Sequence, residues 1–438
     1  MVIAAALLAA LGIALWWSNR QEKAKEGQPA PGAPPHILAI GPDTVKQIEI
    51  QRRGEAPTVV TFNDKGKWEI TQPKPLPADA LAVASITSAA SKLDSQRVVD
   101  PNVTDPATYG LAPALVSVAI TTKDGKTSKL LIGETTPTND AVYAKLDGDP
   151  RLFTMATSNK SAFDKDANDL RDKHLLSFNQ DQLSGIELTA KKQTFDFAKA
   201  GESGWQIVKP KVMRADGSQV EDLISKLRSA SMDLSVPEDQ AKKAAAAFGS
   251  APVVAIAQVT DPSGTKTLEI KKIKDDYYAK SSGLDGVYKV SKDLADGLDK
   301  PLEDFRNKKI FDFGFSDPSR IEVKDGAKDS IFDKGGDKWM SGGKVMDSTS
   351  VQAFIDKLRD LSATKFVDTG FTTPVVTLIV VSDQGKRRET AEISQAASGG
   401  NFIARREGDT SLYELDANTV KDLRQAVGDV REAQSAKK

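Results

Sequence analysis

The chain has 438 residues, 28% of them charged, 39% hydrophobic, and a formal net charge of −1. That composition is globular, and the length suggests about three domains. The near-neutral balance excludes a strongly basic nucleic-acid surface, and the absence of cysteine excludes disulfides, thiolate metal sites and thiol catalysis. Residues 1–17 open the chain with an apolar run rich in Ala and Leu that ends in Trp16 and Trp17. Its length is slightly short of the ~20 residues that cross a bilayer core. A cleaved signal peptide is the rival reading, but there is no basic stretch before the run and no small-x-small cleavage site after it. The expectation is therefore a retained transmembrane anchor, with the lipid bilayer as a partner through residues 1–17. Arg20, Lys23 and Lys25 follow the run, and the positive-inside rule alone would keep the bulk in the cytoplasm. Residues upstream of the given start would reverse that count. The expectation adopted is a single-pass protein of the bacterial inner membrane with an extracytoplasmic, periplasmic bulk.

Residues 18–43 form a Pro-rich linker carrying Pro29, Pro31, Pro34 and Pro35, a composition that favours extended backbone over a packed core. Three repeats follow, over 44–178, 179–314 and 315–431, before a polar tail at 432–438. Trp68 and Trp205 lie 137 positions apart, and Trp205 and Trp339 lie 134 apart. Each tryptophan follows a Gly- or Asp-containing turn and precedes an amphipathic helix. In those helices Val83, Ile86, Ala90 and Leu93 match Val220, Leu223, Leu227 and Ala230, then Val351, Phe354, Leu358 and Leu361. The spacing is one face of a 3.6-residue period. VYAK at Tyr143 matches YYAK at Tyr278, and DLRDKHLLSF from Asp169 matches DFRNKKIFDF from Asp304, with a shorter echo, DLRQ, from Asp422. Hairpins are expected across KDGK (123–126) and DGDP (147–150), and a helix over 159–171. Asp79 is read as a helix cap, Ser218-x-x-Glu221 as a capping box, and Thr349-x-x-Gln352 as its counterpart. Antiparallel hairpins mixed with helices predict an α+β fold for each repeat, behind an N-terminal transmembrane helix.

No catalytic, cofactor or metal residues are assigned. Trp68, Trp205 and Trp339 read as core anchors, with a ligand-stacking platform as the alternative. Arg171 and Arg306 recur at a helix end, where cations complement the dipole. DKDANDLRDK opens like a calcium loop, but Asp169 stands where Gly is required and Leu175 where Glu is required. His36 lies in the linker, and Lys309 replaces His174 in the next copy, so neither reads as catalytic. GGDKWMSGGKV lacks the Ser/Thr and spacing of a P-loop.

With these landmarks in place, the chain resembles the bacterial domain-of-unknown-function 4340 family. The resemblance rests on Val45, Ile48, Ile50, Trp68, Ile70 and Pro73, then YGL (109–111), LLIG (130–133) followed by VYAK, and LRDK (170–173). It is best in the first copy; the second has Phe248-Gly249-Ser250 at YGL, and the third keeps only Gly370-Phe371. The resemblance implies membrane-anchored envelope proteins that accompany ABC transporter parts of the gliding-motility kind, and it implies no catalytic residue. The expected function is thus a non-enzymatic, membrane-anchored accessory or scaffold subunit of an ABC-type transporter or envelope complex, with permease or ATPase subunits as partners. The alternatives are a glycan- or ligand-binding module using the tryptophans, and a hydrolase with an interdomain acidic pair.

Overall fold

The computed structural model describes residues 35–434, except 202, 203 and 398. The chain divides into two compact units, Met1–Lys173 and His174–Lys438. Strands account for 42% and helices for 24%, arranged as one two-stranded and three large antiparallel sheets. The expected α+β class is therefore corrected to mostly β. Two physical reasons stand out. The edge strands Arg97–Asp100 and Lys365–Val367 are too short to show an alternating pattern in the sequence. The helix expected over 159–171 is two short pieces, Thr157–Phe163 and Ala167–Leu170, because the Asp166 side chain caps a fresh start and accepts from Asp169 N.

The expected N-terminal transmembrane helix, residues 1–17, lies outside the described residues. Among the described residues no helix is long and apolar enough to cross a membrane, which overturns the expected single-pass inner-membrane location.

Each large sheet is two meanders placed side by side. In the first unit, Val45–Arg52 pairs with Val116–Thr122 at the centre. Thr58–Phe62, Trp68–Gln72 and Leu76–Pro77 extend one way; Thr127–Thr135, Ala141–Leu146, Leu152–Ala156 and Arg97–Asp100 extend the other. The second unit holds two further sheets, centred on Gly185–Ala190 with Val253–Asp261, and on Arg320–Asp325 with Pro374–Ser382. They have eight and nine strands. Between its meanders each copy inserts one helix: Ala80–Ser91, Gly217–Arg228 and Ser348–Asp360. Those helices bury Val83, Ile86 and Ala90; Val220, Leu223 and Leu227; and Val351, Phe354 and Leu358, each in its own core. Each of these side chains larger than alanine contributes about 1.5–3 kcal/mol of burial.

The caps are Asp79, Asp216 and Asp347, one per copy. Asp79 accepts from Leu81 N at 2.8 Å, Asp216 from Ser218 N at 3.0 Å and Asp347 from Ser350 N at 2.9 Å. The boxes read at Ser218 and Thr349 do not form, because the helix starts earlier; Glu221 instead accepts from Trp205 Nε1 at 2.8 Å.

The other face of each sheet is covered by the segment between the helix and the second meander. In the first copy Tyr109 meets Tyr143 edge-on, 4.9 Å between centroids, and Leu111 presses on Gly133. In the second, the helix Glu238–Phe248 lays Ala244 and Phe248 against Tyr278, with Lys271 Nζ 4.9 Å from the Phe248 ring centre. In the third, Thr372 N donates to Ser394 Oγ at 3.0 Å. Strand register makes Gly133, Lys271 and Ser394 equivalent. The motifs YGL, LLIG and VYAK thus converge on one packing contact.

The closing motif is divided between copies. Arg171 bridges Ala78 and Arg306 bridges Ala215 beside the helix caps, whereas Leu175, Leu176 and Phe178 pack with the second core, and Ile310, Phe311 and Phe313 with the third. The matching segment of the first copy is His36–Leu38, a strand on Leu93–Asp94 that buries Ile37 and Leu38, so residues 36–38 are part of a core and not of the linker. The third closing segment is Glu432, which bridges Met346; the echo DLRQ sits on the helix Ala417–Gly428 instead.

Lys191 and Lys192 form a two-residue hairpin turn with φ of 51° and 63°. This turn type favours glycine at its second position, and a left-handed L residue costs about 1–2 kcal/mol. Lys192→Gly is expected to stabilise the second unit by about 1 kcal/mol in chemical denaturation.

Candidate functional site

The sites read from sequence do not gather into one pocket. Trp205 and Trp339 are 7% and 4% exposed and belong to the second and third cores. Trp68 is half-buried against the first core, its ring 5.3 Å from Phe62. Trp205 ties its meander to the following helix by donating to Glu221. Arg171 is 8% exposed, in the bridge with Ala78. In the calcium-like segment, Asp164 receives Arg52 Nε at 2.8 Å and Asp166 caps a helix.

The densest cluster of charge lies in the second unit, where the second and third copies meet. Arg214 lies on Met213–Arg214, the last strand of the tryptophan meander of the second copy. Its guanidinium pairs with Asp312, donates to the Lys309 carbonyl at 2.7 Å and donates to Tyr413 Oη at 3.1 Å. Asp312 also accepts from Asn307 Nδ2 at 3.0 Å and from Arg406 at 3.0 Å. Arg406 in turn donates to Glu389 at 2.8 Å, and the same carboxylate oxygen accepts from Asp312 N at 2.9 Å. Tyr413 Oη donates to Asp409 at 2.5 Å. Beside this network the Arg306 guanidinium lies 3.4 Å from the Phe366 ring centre and donates to Ser411 Oγ at 3.1 Å.

Burial by itself would raise the Asp312 carboxyl, but Arg214 and Arg406 outweigh it and hold it below the ordinary carboxylate range. Burial likewise opposes the charge on Arg214, yet Asp312 and Tyr413 raise it above its usual value. Arg306 is lowered by burial, against the pull of Glu303 and its neighbours. Burial pushes the Tyr413 phenol up to about 12. Acid–base catalysis works best with a group titrating near the working pH. Asp312 stays ionised and Tyr413 stays neutral there, so this network holds charge and geometry rather than exchanging protons. It is a clamp. Removing one partner of such a pair strands the others in a poorly solvated place.

Sequence reading found Arg306 and missed Arg214, Asp312, Glu389, Arg406 and Tyr413. One signal was available. By strand register the position of Arg214 is Pro77 in the first copy and Val345 in the third, a break in an otherwise matched repeat.

No curated protein matches the chain. The family described as Domain of unknown function (DUF4340) matches residues 68–204 and again 205–377, the two segments opening on the equivalent residues Trp68 and Trp205. Those matches span more than half of the sequence, and the chain belongs to the DUF4340 family.

Proposed function

We propose that this chain is a non-catalytic accessory or scaffold subunit of an ABC-type transporter or cell-envelope complex. The observation that supports it is the clamp: four charged groups of the second unit, Arg214, Asp312, Arg406 and Glu389, are paired with one another across two copies. A scaffold needs fixed spacing between surfaces, and an ion network that locks one sheet to the next supplies it. The ABC assignment rests on the family resemblance. A tryptophan platform for glycans draws less support, because a stacking site needs an open ring face and Trp205 and Trp339 are closed.

The test is purification of the tagged full-length chain from its own cells in mild detergent, followed by quantitative mass spectrometry. Recovery of a permease and an ATPase in fixed ratio is the expected result. Recovery of the chain without either, over several extraction conditions, overturns the proposal.

A further inference from the structure

The three copies treat one backbone stretch differently. By strand register Ser128, Lys266 and Glu389 are equivalent, as are Thr122, Asp261 and Ser382. Ser95 N donates to the Pro35 carbonyl as Ala363 N does to that of Lys308, and Leu175 N donates to the Ala230 carbonyl as Ile310 N does to that of Leu361. Ile37, Leu175 and Ile310 are therefore equivalent, which places Ala39 with Asp312 and Gly41 with Asn179. In the third copy Glu389 Oε1 accepts from Asp312 N at 2.9 Å and pairs with Arg406 at 2.8 Å. In the second copy Asp261 accepts from Asn179 N at 2.8 Å and pairs with Lys266 at 3.1 Å. Both carboxylates are nearly closed off from solvent, with side chains 6% and 4% exposed. Each later copy thus sets a buried carboxylate of its own, with its own cation, against an amide of its entering segment.

The first copy lacks the carboxylate and keeps the place for it. Its residues at the two acidic positions are Ser128 and Thr122, and Leu146 stands where Arg406 does. The Ile40 amide donates to the Ala90 carbonyl at 3.1 Å, while the amides of Ala39 and Gly41, on either side of it, donate to nothing among the described residues. Between the segment 37–44 and the hairpin 122–128 lies a groove of about 560 Å³. Ala39, Gly41, Ser128 and Leu146 all line it, so the open amides and the substituted positions share one space. Ile40 and Leu146 give the groove an apolar side. Lys123 and Lys126 also line it, and neither forms a salt bridge among the described residues. Of its two acidic residues, Asp43 and Asp124, the second is turned onto the Thr122 hydroxyl and the Lys126 amide.

We propose that this groove binds a carboxylate brought by another molecule, set where Glu389 and Asp261 set theirs in the sister copies. The ligand is a carboxylate at the end of a short apolar chain, either a free acid or the C-terminus of a peptide. The amides of Ala39 and Gly41 donate to it, Lys123 and Lys126 balance its charge, and Ile40 and Leu146 take the chain. A hydrogen bond to an ionised acceptor is about twice as strong as one between neutral groups, which favours a carboxylate over water at these amides. The site goes beyond the scaffold reading, because only the first copy is open to a ligand there. The second and third fill the place with their own side chains.

The full-length chain, labelled with nitrogen-15 at glycine and alanine, is titrated in a neutral detergent with butyrate, with N-acetyl-Ala-Leu and with the amide of that dipeptide. The Gly41 and Ala39 amide signals are expected to shift and saturate with butyrate or the free dipeptide at a Kd of about 1 mM or tighter, a range open to ligands this small. The tighter of the two identifies the source as a free acid or a chain terminus. The amidated dipeptide is expected to bind about tenfold more weakly or worse, because it lacks the charge. Ser128→Glu supplies the carboxylate that the third copy has, and it is expected to abolish the titration with the fold intact by circular dichroism. Should that variant unfold, Thr122→Asp copies the second copy instead. Amide signals that neither acid moves up to about 20 mM overturn the proposal. So do equal shifts with the amidated dipeptide or inorganic phosphate, and a titration that the folded variant leaves unchanged.

Discussion

Asp312→Ala is expected to lower the melting transition of the second unit while leaving that of the first in place. Removing this carboxylate leaves Arg214 and Arg406 facing each other with only the Lys309 carbonyl, Tyr413, and Glu389 to hold them. Breaking a buried pair from one side costs about 3–5 kcal/mol. The Asp312 side chain is 25% exposed, which places the loss at the lower end, about 3 kcal/mol. For a unit of this size that is roughly 6–9 °C in scanning calorimetry. The pH dependence follows from the same geometry. The Asp312 carboxyl is held below its ordinary value in the folded state, so its stabilisation is complete above the unfolded value near ~4 and is lost as pH falls through the folded value. The wild-type protein should lose stability on that acid limb, and Asp312→Ala should lose less of it. Equal melting temperatures for the two proteins, or parallel acid limbs, would remove the clamp from the account.

The second large effect is at Gly133. A Cβ there would lie 2.1 Å from the Tyr109 carbonyl oxygen and 3.1 Å from the Leu111 side chain. The carbonyl belongs to a backbone turn and cannot swing aside as a flexible side chain would. Overpacking of a well-filled site costs roughly 1–3 kcal/mol, and a rigid backbone obstacle belongs at the top of that range. Gly133→Ala is expected to destabilise the first unit by about 3 kcal/mol in urea, with the second unit unchanged. The Tyr109–Tyr143 pair should loosen with it, which tyrosine fluorescence or ring proton shifts would register. A variant with wild-type stability would mean that the 106–111 turn shifts freely. The YGL and LLIG motifs would then need another explanation.

These two sites differ in how far the sequence exposed them. The LLIG glycine was visible as a motif, because LLIG followed by VYAK is part of the family resemblance. Its reason was not visible, since the partner is a carbonyl 24 positions earlier in the chain. The clamp was hidden for the opposite reason. Arg214, Asp312, Glu389 and Arg406 carry no spacing of their own and meet only when separate strands are brought together. Helix faces were legible through Val83, Val220 and Val351, because a 3.6-residue period is local. Caps were less so: Ser218 and Thr349 fit the pattern, yet Asp216 and Asp347 win because their carboxylates reach the first free N–H groups. The fold class failed where strands were shortest. Arg97–Asp100 and Lys365–Val367 owe their form to neighbours rather than to their own alternation.

The division of DLRDKHLLSF has a practical consequence for anyone treating the repeats as exchangeable parts. The period seen in the letters and the period of the folded modules are out of phase. A module grafted or excised at residue 179 would leave Leu175, Leu176 and Phe178 behind and open a hole in the core they fill. A cut between Lys173 and His174 keeps the entering segment with the core that it fills. Shuffled chimaeras of these repeats should therefore be spliced just ahead of HIL, HLL and KIF, at His36, His174 and Lys309.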